Sequence, residues 1–438
     1  MSEVSKKLVG IVEISPEIIN EIKSEVKNIS QLKEKIDENS KDNITNILDV
    51  ILMGAINLQA SDIHIEPSEE KVTLRLRIDG MLQEITSFDQ IVFQKVLSRI
   101  KLLSGLKFNV SDRPQDGRFS ISAEKTLIEV RASTLPAEYG ESIVLRILNP
   151  KDLIELEDLG LREDLFKNFE KQLTKPSGMI VITGPTGSGK TTTLYSFLTK
   201  TKSSENKIIT IEDPIEYHLD GISQTQTHPE KGYDFASGLK SIMRQDPDII
   251  LVGEIRDLET VQIAIQAALT GHLVLTTLHT NDAAGTISRL ISLGADPVNI
   301  GPALNLSVAQ RLVRKVCPKC SKIRKVTDEE LKKIKQGLKN IPEDIKKDLP
   351  PINKDLEIPQ AEGCQYCNFT GYRGRIGIFE AFFVNDEMEK FISTSPTISS
   401  LKEEAIKQGM ITLRQDGLMK VLNKMTTIEE IERIMGEE

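Results

Sequence analysis

Long apolar runs are missing from this 438-residue sequence. No stretch reaches the ~18 consecutive apolar residues that a membrane-spanning helix needs. Met1 to Gly10 alternates polar and charged residues without the apolar core of a secretory leader. A cytoplasmic protein is expected, peripheral on the membrane if it touches one. A surplus of positive charge is missing too, since 56 Lys and Arg stand against 65 Asp and Glu, a formal net charge of -9. Binding along a nucleic-acid backbone depends on such a surplus, and no basic stretch rich in aromatics offers stacking platforms. No direct nucleic-acid partner is therefore expected. Cysteine is scarce, and all four fall in the pairs Cys317/Cys320 and Cys364/Cys367. In a reducing compartment this pattern favours a metal over disulfides.

What is there has ordinary globular composition, 39% hydrophobic and 28% charged. At ~100–200 residues per domain the length predicts two to four folded units. Ile18, Ile22, Val26, Ile29, Leu32 and Ile36 recur at steps of three and four, which predicts one face of a helix. A helical run over 43–56 then leads into an alternating strand over 72–78, a helix over 90–103 and strands over 118–121, 127–131 and 142–148, a mixed α+β domain. Residues 150–160 read as a linker with a short helix. Beyond it, short apolar runs at 179–183, 207–211, 248–252 and 273–277 alternate with helical patterns, which predicts a parallel sheet covered on both faces. The lysine-rich stretch 321–360, with Pro342, Pro350, Pro351 and Pro359, reads as a surface excursion. A last helical unit runs from Arg375 to Met435.

Gly184-Pro185-Thr186-Gly187-Ser188-Gly189-Lys190-Thr191, followed by Thr192, satisfies G-x-x-x-x-G-K-[ST] between an apolar strand and a helical run. The glycines let backbone N–H groups wrap phosphates, and the helix N-terminus adds positive potential. Lys190 reaches the outer phosphates and the Thr191 hydroxyl suits Mg²⁺. With strand, loop and helix all in place, a mere connecting turn is the weaker reading. Phosphoryl transfer also needs acidic groups. Glu212 and Glu216 follow one apolar strand and Glu254 follows another, and strand ends of one sheet converge on one edge. His272 and His279 bracket the strand at 273–277, where either can sense a γ-phosphate or carry a nucleotide-dependent hydrogen bond. The cysteines form C-x-x-C, 43 residues, C-x-x-C. Four thiolates make a closed tetrahedral site without a catalytic opening, so Cys317, Cys320, Cys364 and Cys367 are expected to hold structural Zn²⁺.

The phosphate loop, the box from Glu212 to Glu216, the run Arg244-Gln245-Asp246-Pro247-Asp248, the run Gly253-Glu254-Ile255-Arg256-Asp257 and the histidine pair together resemble the secretion-superfamily ATPases. The resemblance extends from about Asn43 to the C-terminus. Residues 61–67, 113–118 and 371–377 are similar to the type IV pilus assembly and type II secretion branch. It implies an α/β chain with a RecA-like P-loop core, a mixed α+β domain before it and a tetracysteine zinc subdomain. It further implies an ATP hydrolase using ATP, Mg²⁺ and structural Zn²⁺, assembled as a homohexamer on the cytoplasmic face of the inner membrane. There it would turn a platform protein so that pilin subunits are added. By the same resemblance Glu216 is the base that activates water, with Glu212 second. Glu254 orders Mg²⁺ and water, and Arg118 and Arg131 reach the nucleotide in trans or after domain closure. Arg244 is a further cation candidate. A tetracysteine insert marks assembly motors and is typically missing from retraction motors. The rival readings are a retraction motor, a nucleic-acid translocase on a RecA-like core and a non-hydrolysing scaffold. The expected divisions are 1–42 (helical segment), 43–149 (α+β domain), 150–160 (linker), 161–312 (ATPase core), 313–378 (zinc subdomain) and 379–438 (helical subdomain). Two departures stand out. The stretch before Asn43 is shorter than the N-terminal extensions of many relatives, and Asn423-Lys424-Met425 stands where relatives tend to have Gly, at an expected helix cap.

Overall fold

The computed structural model describes residues 10–39, 44–123 and 126–436. The reading of the first nine residues and the expected boundary at Asn43 lie outside the described residues. The chain divides into two compact units. One comprises residues up to Asp152 together with Cys317–Cys320 and Glu362–Arg373; the other comprises Leu153–Val316, Ser321–Ala361 and the remainder from Gly374.

The first unit begins with β1 (Ile11–Glu13), α1 (Pro16–Glu25), α2 (Ile29–Asn39) and α3 (Ile44–Asn57). β2 (Ala60–Pro67), β3 (Val72–Ile78), β4 (Met81–Phe88), α4 (Gln90–Ser104), β5 (Gln115–Ala123), β6 (Thr126–Ala137) and β7 (Gly140–Leu148) follow. Its seven-stranded sheet runs β1-β5-β6-β7-β2-β3-β4. The β1–β5 pair is parallel and the other described pairs are antiparallel. The single helix face expected over 18–36 is split between two helices. Val26 is extended (φ -94°, ψ 100°), and the Asn28 side chain accepts the Gln31 N–H at 3.0 Å, starting a second helix. The apolar spacing survives the break because Ile22, Val26, Leu32 and Ile36 all remain buried in one core with α3 and the sheet.

The second unit contains α5 (Glu163–Leu173), β8 (Gly178–Thr183), α6 (Lys190–Thr201), β9 (Ile208–Glu212), β10 (Ser223–Gln226), α7 (Phe235–Met243), β11 (Ile249–Val252), α8 (Leu258–Leu269), β12 (Leu273–Leu278), α9 (Gly285–Ser292), α10 (Pro297–Ala303) and β13 (Leu304–Val316). β14 (Lys322–Lys325), α11 (Asp328–Gly337), α12 (Glu343–Lys346), β15 (Glu357–Gln360), β16 (Tyr372–Phe383, in this unit from Gly374), α13 (Asp386–Ser393), α14 (Ile398–Lys407), α15 (Leu413–Leu422) and α16 (Ile428–Met435) follow. The sheet order is β10-β9-β11-β12-β8-β13-β16, with parallel pairing from β10 through β13. Every residue of β8, β9, β11 and β12 is buried, which is why these strands read as continuous apolar runs. β8 lies between β12 and β13, so the loop after it opens where the chain changes direction across the sheet, the usual place for a ligand crevice.

The stretch 321–360 is more than a surface excursion. β14 and β15 pair antiparallel, and Leu331, Ile334 and Ile358 are buried in the same core as β12 and the C-terminal helices. α11 is amphipathic, and its lysines hid the apolar stripe that docks it. The last unit is likewise not wholly helical, because β16 enters the core sheet before the helices begin. At the end of α15, Lys424 has φ +59°, the left-handed conformation that glycine adopts without strain. Its exposed ion pair with Glu357 at 3.1 Å contributes little. Lys424→Gly is therefore expected to stabilise the protein by about 1 kcal/mol, read as a rise in the denaturant midpoint at unchanged slope.

Candidate active site

β8 ends at Thr183 and the chain turns through Gly184, Gly187 and Gly189 with φ of 151°, 78° and 89°. All three lie in the left-handed half of backbone space that side chains disfavour. At Gly184 a Cβ would come within 2.6 Å of both the Gln310 carbonyl and the Ser188 hydroxyl, so only glycine fits, while at Gly187 the space is open. α6 starts at Lys190 and aims its unpaired amides back at this loop. The Lys190 ammonium donates to the carbonyls of Gly184 (2.8 Å) and Pro185 (3.1 Å). Ser188 Oγ is buried without a protein partner. A glycine-lined concavity with a lysine folded onto it and an orphaned hydroxyl fits the phosphates of a nucleotide, and Thr191 and Thr192 occupy the first turn of α6. Burial lowers the Lys190 pKa and Arg311 adds to this, whereas Glu254 and Glu216 act to raise it. Both carboxylates are therefore within electrostatic reach of the lysine.

The acidic residues have different surroundings. Glu212, the last residue of β9, is only 4% exposed. Its carboxylate accepts from the Tyr195 hydroxyl, from Thr210 Oγ1 (2.6 Å) and from Gln224 Nε2 (3.1 Å). Burial, reinforced by Glu212, raises the Tyr195 pKa and keeps the phenol a donor. Glu212, the second choice for the base, is thus engaged by donors from α6, β9 and β10. Glu216 lies beyond Glu212 in the same connection, half-buried. Glu254, just past β11, pairs with Arg256 and has Oε2 3.5 Å from His279 Nε2. Thr277 Oγ1 donates to Gly253 O at 2.7 Å, which ties the end of β11 to β12.

The two histidines part company. His279 follows β12 on the edge that carries the phosphate loop, whereas His272 precedes β12. The His272 carbonyl accepts from Gly178 N–H, at the start of β8, and its Nδ1 lies 3.1 Å from Ala267 O. A six-residue strand at ~3.3 Å per residue puts about 20 Å between the two ends, so His272 cannot sense a γ-phosphate at this loop. Arg244 caps α7 before β11 begins, exposed, with Nη2 on Ser241 Oγ at 3.3 Å. It too stands at the starting ends of the parallel strands, away from the loop. Arg118 and Arg131 belong to the first unit, where cross-strand register places Arg118, Arg131, Arg146 and Asp62 in one row over β5, β6, β7 and β2. Arg131 pairs with Glu129 and Arg146 with Asp62, each at 3.1 Å. The sequence reading missed Gln310 and Arg311, in the middle of β13. Gln310 Oε1 accepts from Thr193 Oγ1 at 2.8 Å. The signal available was weak, because Gln310 and Arg311 sit in a run that also carries Asn305, Ser307, Arg314 and Lys315.

Cys317, Cys320, Cys364 and Cys367 present sulfurs all within 4.8 Å of one another. Three Sγ–Sγ distances are 3.9, 3.7 and 3.8 Å. A tetrahedron with ~2.3 Å Zn–S bonds has edges of about 3.8 Å, so the cluster fits zinc. Backbone N–H groups of Cys364 and Gly371 donate to Cys367 Sγ at 3.2 and 3.3 Å, as expected around a thiolate. Lys319 and Arg373 stack on Tyr366 at 4.1 and 4.2 Å. Asn368, next to Cys367, accepts the Ile29 N–H at 2.9 Å and so caps α2.

Comparison with known proteins agrees with this geometry. The sequence matches the family described as "Type II/IV secretion system protein" over residues 37–433. It is 40% identical over 412 residues to the type IV pilus assembly ATPase PilB of Myxococcus xanthus, covering 93% of this chain and 70% of that protein. It is 42% identical over 396 residues to the type II secretion system protein E of Dickeya dadantii, covering 90% of this chain and 76% of that protein. The crystal structure of the pilus retraction motor PilT with bound ADP is similar at a TM-score of 0.57 and 26% identity, over 87% of this chain and 95% of that one. The phosphate loop, the acidic strand ends beside it and these matches along most of the chain lead to one conclusion: the chain belongs to the type II/IV secretion system protein family and is an ATP hydrolase.

Proposed function

We propose that this ATPase powers assembly of a type IV pilus or a type II secretion pseudopilus, working as a homohexamer on an inner-membrane platform protein. The observation that carries the hydrolytic part is the convergence of Glu254, Glu216 and His279 on the edge where Lys190 folds over its glycine loop. Lys190 leaves the Gly184 and Pro185 carbonyls to hold the outer phosphates. Thr191 and Glu254 are the residues that would hold Mg²⁺, which would supply charge neutralisation to the transferring phosphoryl group. Glu216 takes the proton of the attacking water as the oxygen bonds to the γ-phosphorus and ADP leaves, and His279 donates to the γ-phosphate. Arg118 and Arg131 supply positive charge to the transferred phosphoryl, in trans or after domain closure, an effect that can be worth about 10³-fold in rate.

Assembly rather than retraction is favoured by the complete cysteine cluster. No helix among the described residues is long and apolar enough to cross a membrane. Replacing Lys190 by alanine is expected to lower steady-state Mg-ATP turnover by at least about 10²-fold while leaving zinc content unchanged. Full activity in that variant would refute the site. Stimulation of turnover by DNA, and none by the platform protein, would refute the machine.

A further inference from the structure

Arg311 lies at the phosphate-loop edge, and the mechanism above gives it no part. Its Nη1 donates to the Gln310 carbonyl at 2.9 Å and its Nη2 to the Asn281 carbonyl at 2.8 Å. A Cβ built on Gly184 would stand 3.0 Å from Nη1, so the guanidinium lies directly against the first glycine of the loop. The neighbouring Gln310 side chain reaches the first turn of α6 through Thr193. Two consecutive residues of β13 thus touch the start of the phosphate loop, the helix that follows it and the strap 279–284 that carries His279.

The strap is tethered elsewhere as well. Thr280 N–H donates to Thr183 Oγ1 at 2.7 Å, Ser307 Oγ donates to Ala283 O at 2.9 Å, and Ala283 N–H donates to Glu380 at 2.9 Å. The tether at Asn281 is made by a cation, as is the longer Lys402–Asp282 pair at 3.9 Å, and the Arg311 cation is also in electrostatic contact with Lys190. Facing Arg311 are Asp282 and Glu380, which stabilise its charge against burial. A guanidinium is a planar fork that can hold two carbonyls at fixed spacing, whereas a lysine ammonium on a flexible stem holds them as a point charge.

We propose that Arg311 is a positioning residue of the ATP site. It ties the His279 strap to β13 where that strand lies against the first glycine of the phosphate loop, so that the γ-phosphate and the Glu254–His279 pair are held in one geometry. The proposal rests on the hydrolytic reading given above. ADP lacks the γ-phosphate, so its binding does not depend on the strap, and turnover does.

The test compares Arg311→Gln and Arg311→Lys with the wild type in the full-length protein. It reads Mg-ATP turnover, affinity for a fluorescent ADP, and amide hydrogen exchange over residues 279–284. Arg311→Gln is expected to lower kcat by about 10- to 10²-fold, the scale of a small misplacement at a reacting centre, with ADP affinity within about 3-fold. Arg311→Lys is expected to fall between the two, and exchange should rise in the strap while β8 stays protected. A kcat of Arg311→Gln within about 2-fold of wild type would overturn the proposal. So would full kcat in Arg311→Lys, which would make charge alone sufficient, or parallel loss of ADP binding and kcat in both variants, which would make the role merely structural. If Arg311→Gln does not fold, unchanged strap exchange in Arg311→Lys overturns it. A wild type that fails to hydrolyse ATP would sink the hydrolytic reading itself, an outcome distinct from all of these.

Discussion

Glu216→Gln is expected to bind Mg-ATP with unchanged affinity and to turn it over about 10²- to 10⁴-fold more slowly, the range for removing a positioned general base. Glu212→Ala is expected to behave differently. It leaves Tyr195, Thr210 and Gln224 as donors without their shared acceptor, and charged hydrogen bonds of this kind are worth about 1.5–3 kcal/mol each. The cost is therefore about 3 kcal/mol or more of stability, visible as a lowered melting temperature, with any loss of activity following the loss of folded protein. Equal turnover defects in both variants with no change in melting would reverse the assignment and return Glu212 to the chemistry.

The second large effect is expected from the cysteine cluster. Cys317→Ser or Cys364→Ser should release about one zinc per chain, because a structural site needs all four thiolates and its metal contributes folding free energy outright. The damage should reach α2, since Asn368 in the same turn accepts the Ile29 N–H. Chelation is expected to raise proteolytic cleavage within residues 16–39. Asn368→Ala isolates the cap: zinc stays, and the loss of about 1 kcal/mol corresponds to roughly a 5-fold rise in cleavage when opening is fast. Stoichiometric zinc in Cys317→Ser would remove the cluster from the account, and unchanged cleavage in Asn368→Ala would remove the cap.

Whatever in the site depends on consecutive residues was legible in the sequence. The phosphate loop carries its own strand, glycines, lysine and helix start, so Gly184 to Thr191 could be placed without any tertiary contact. The cysteine pairs were legible for the same reason, although the stretch between them was not. The lysines of α11 mask Leu331 and Ile334, whose burial depends on residues of the C-terminal helices. The different surroundings of Glu212 and Glu216 were not legible, because Tyr195 and Gln224, which close around Glu212, arrive from α6 and β10. His272 and His279 looked equivalent because both border one strand. In a parallel sheet only the trailing end of each strand shares the ligand edge, a rule that could have separated them beforehand. Gln310 and Arg311 were missed because β13 was not recognised, its polar residues having broken the apolar run that marks the other core strands. The helix break at Val26 was hidden because the apolar spacing runs through it unchanged, and only the Asn28 cap reveals it.

The central claim is that the Lys190 loop grips ATP while the carboxylates beside it ready water for attack on the γ-phosphate. It is tested most directly by measuring ATP binding and phosphate release together on purified, zinc-replete protein with Mg²⁺. The expected result is saturable binding with sustained release that stops when Mg²⁺ is chelated. Protein that is folded and zinc-loaded yet neither binds nor cleaves ATP would contradict it.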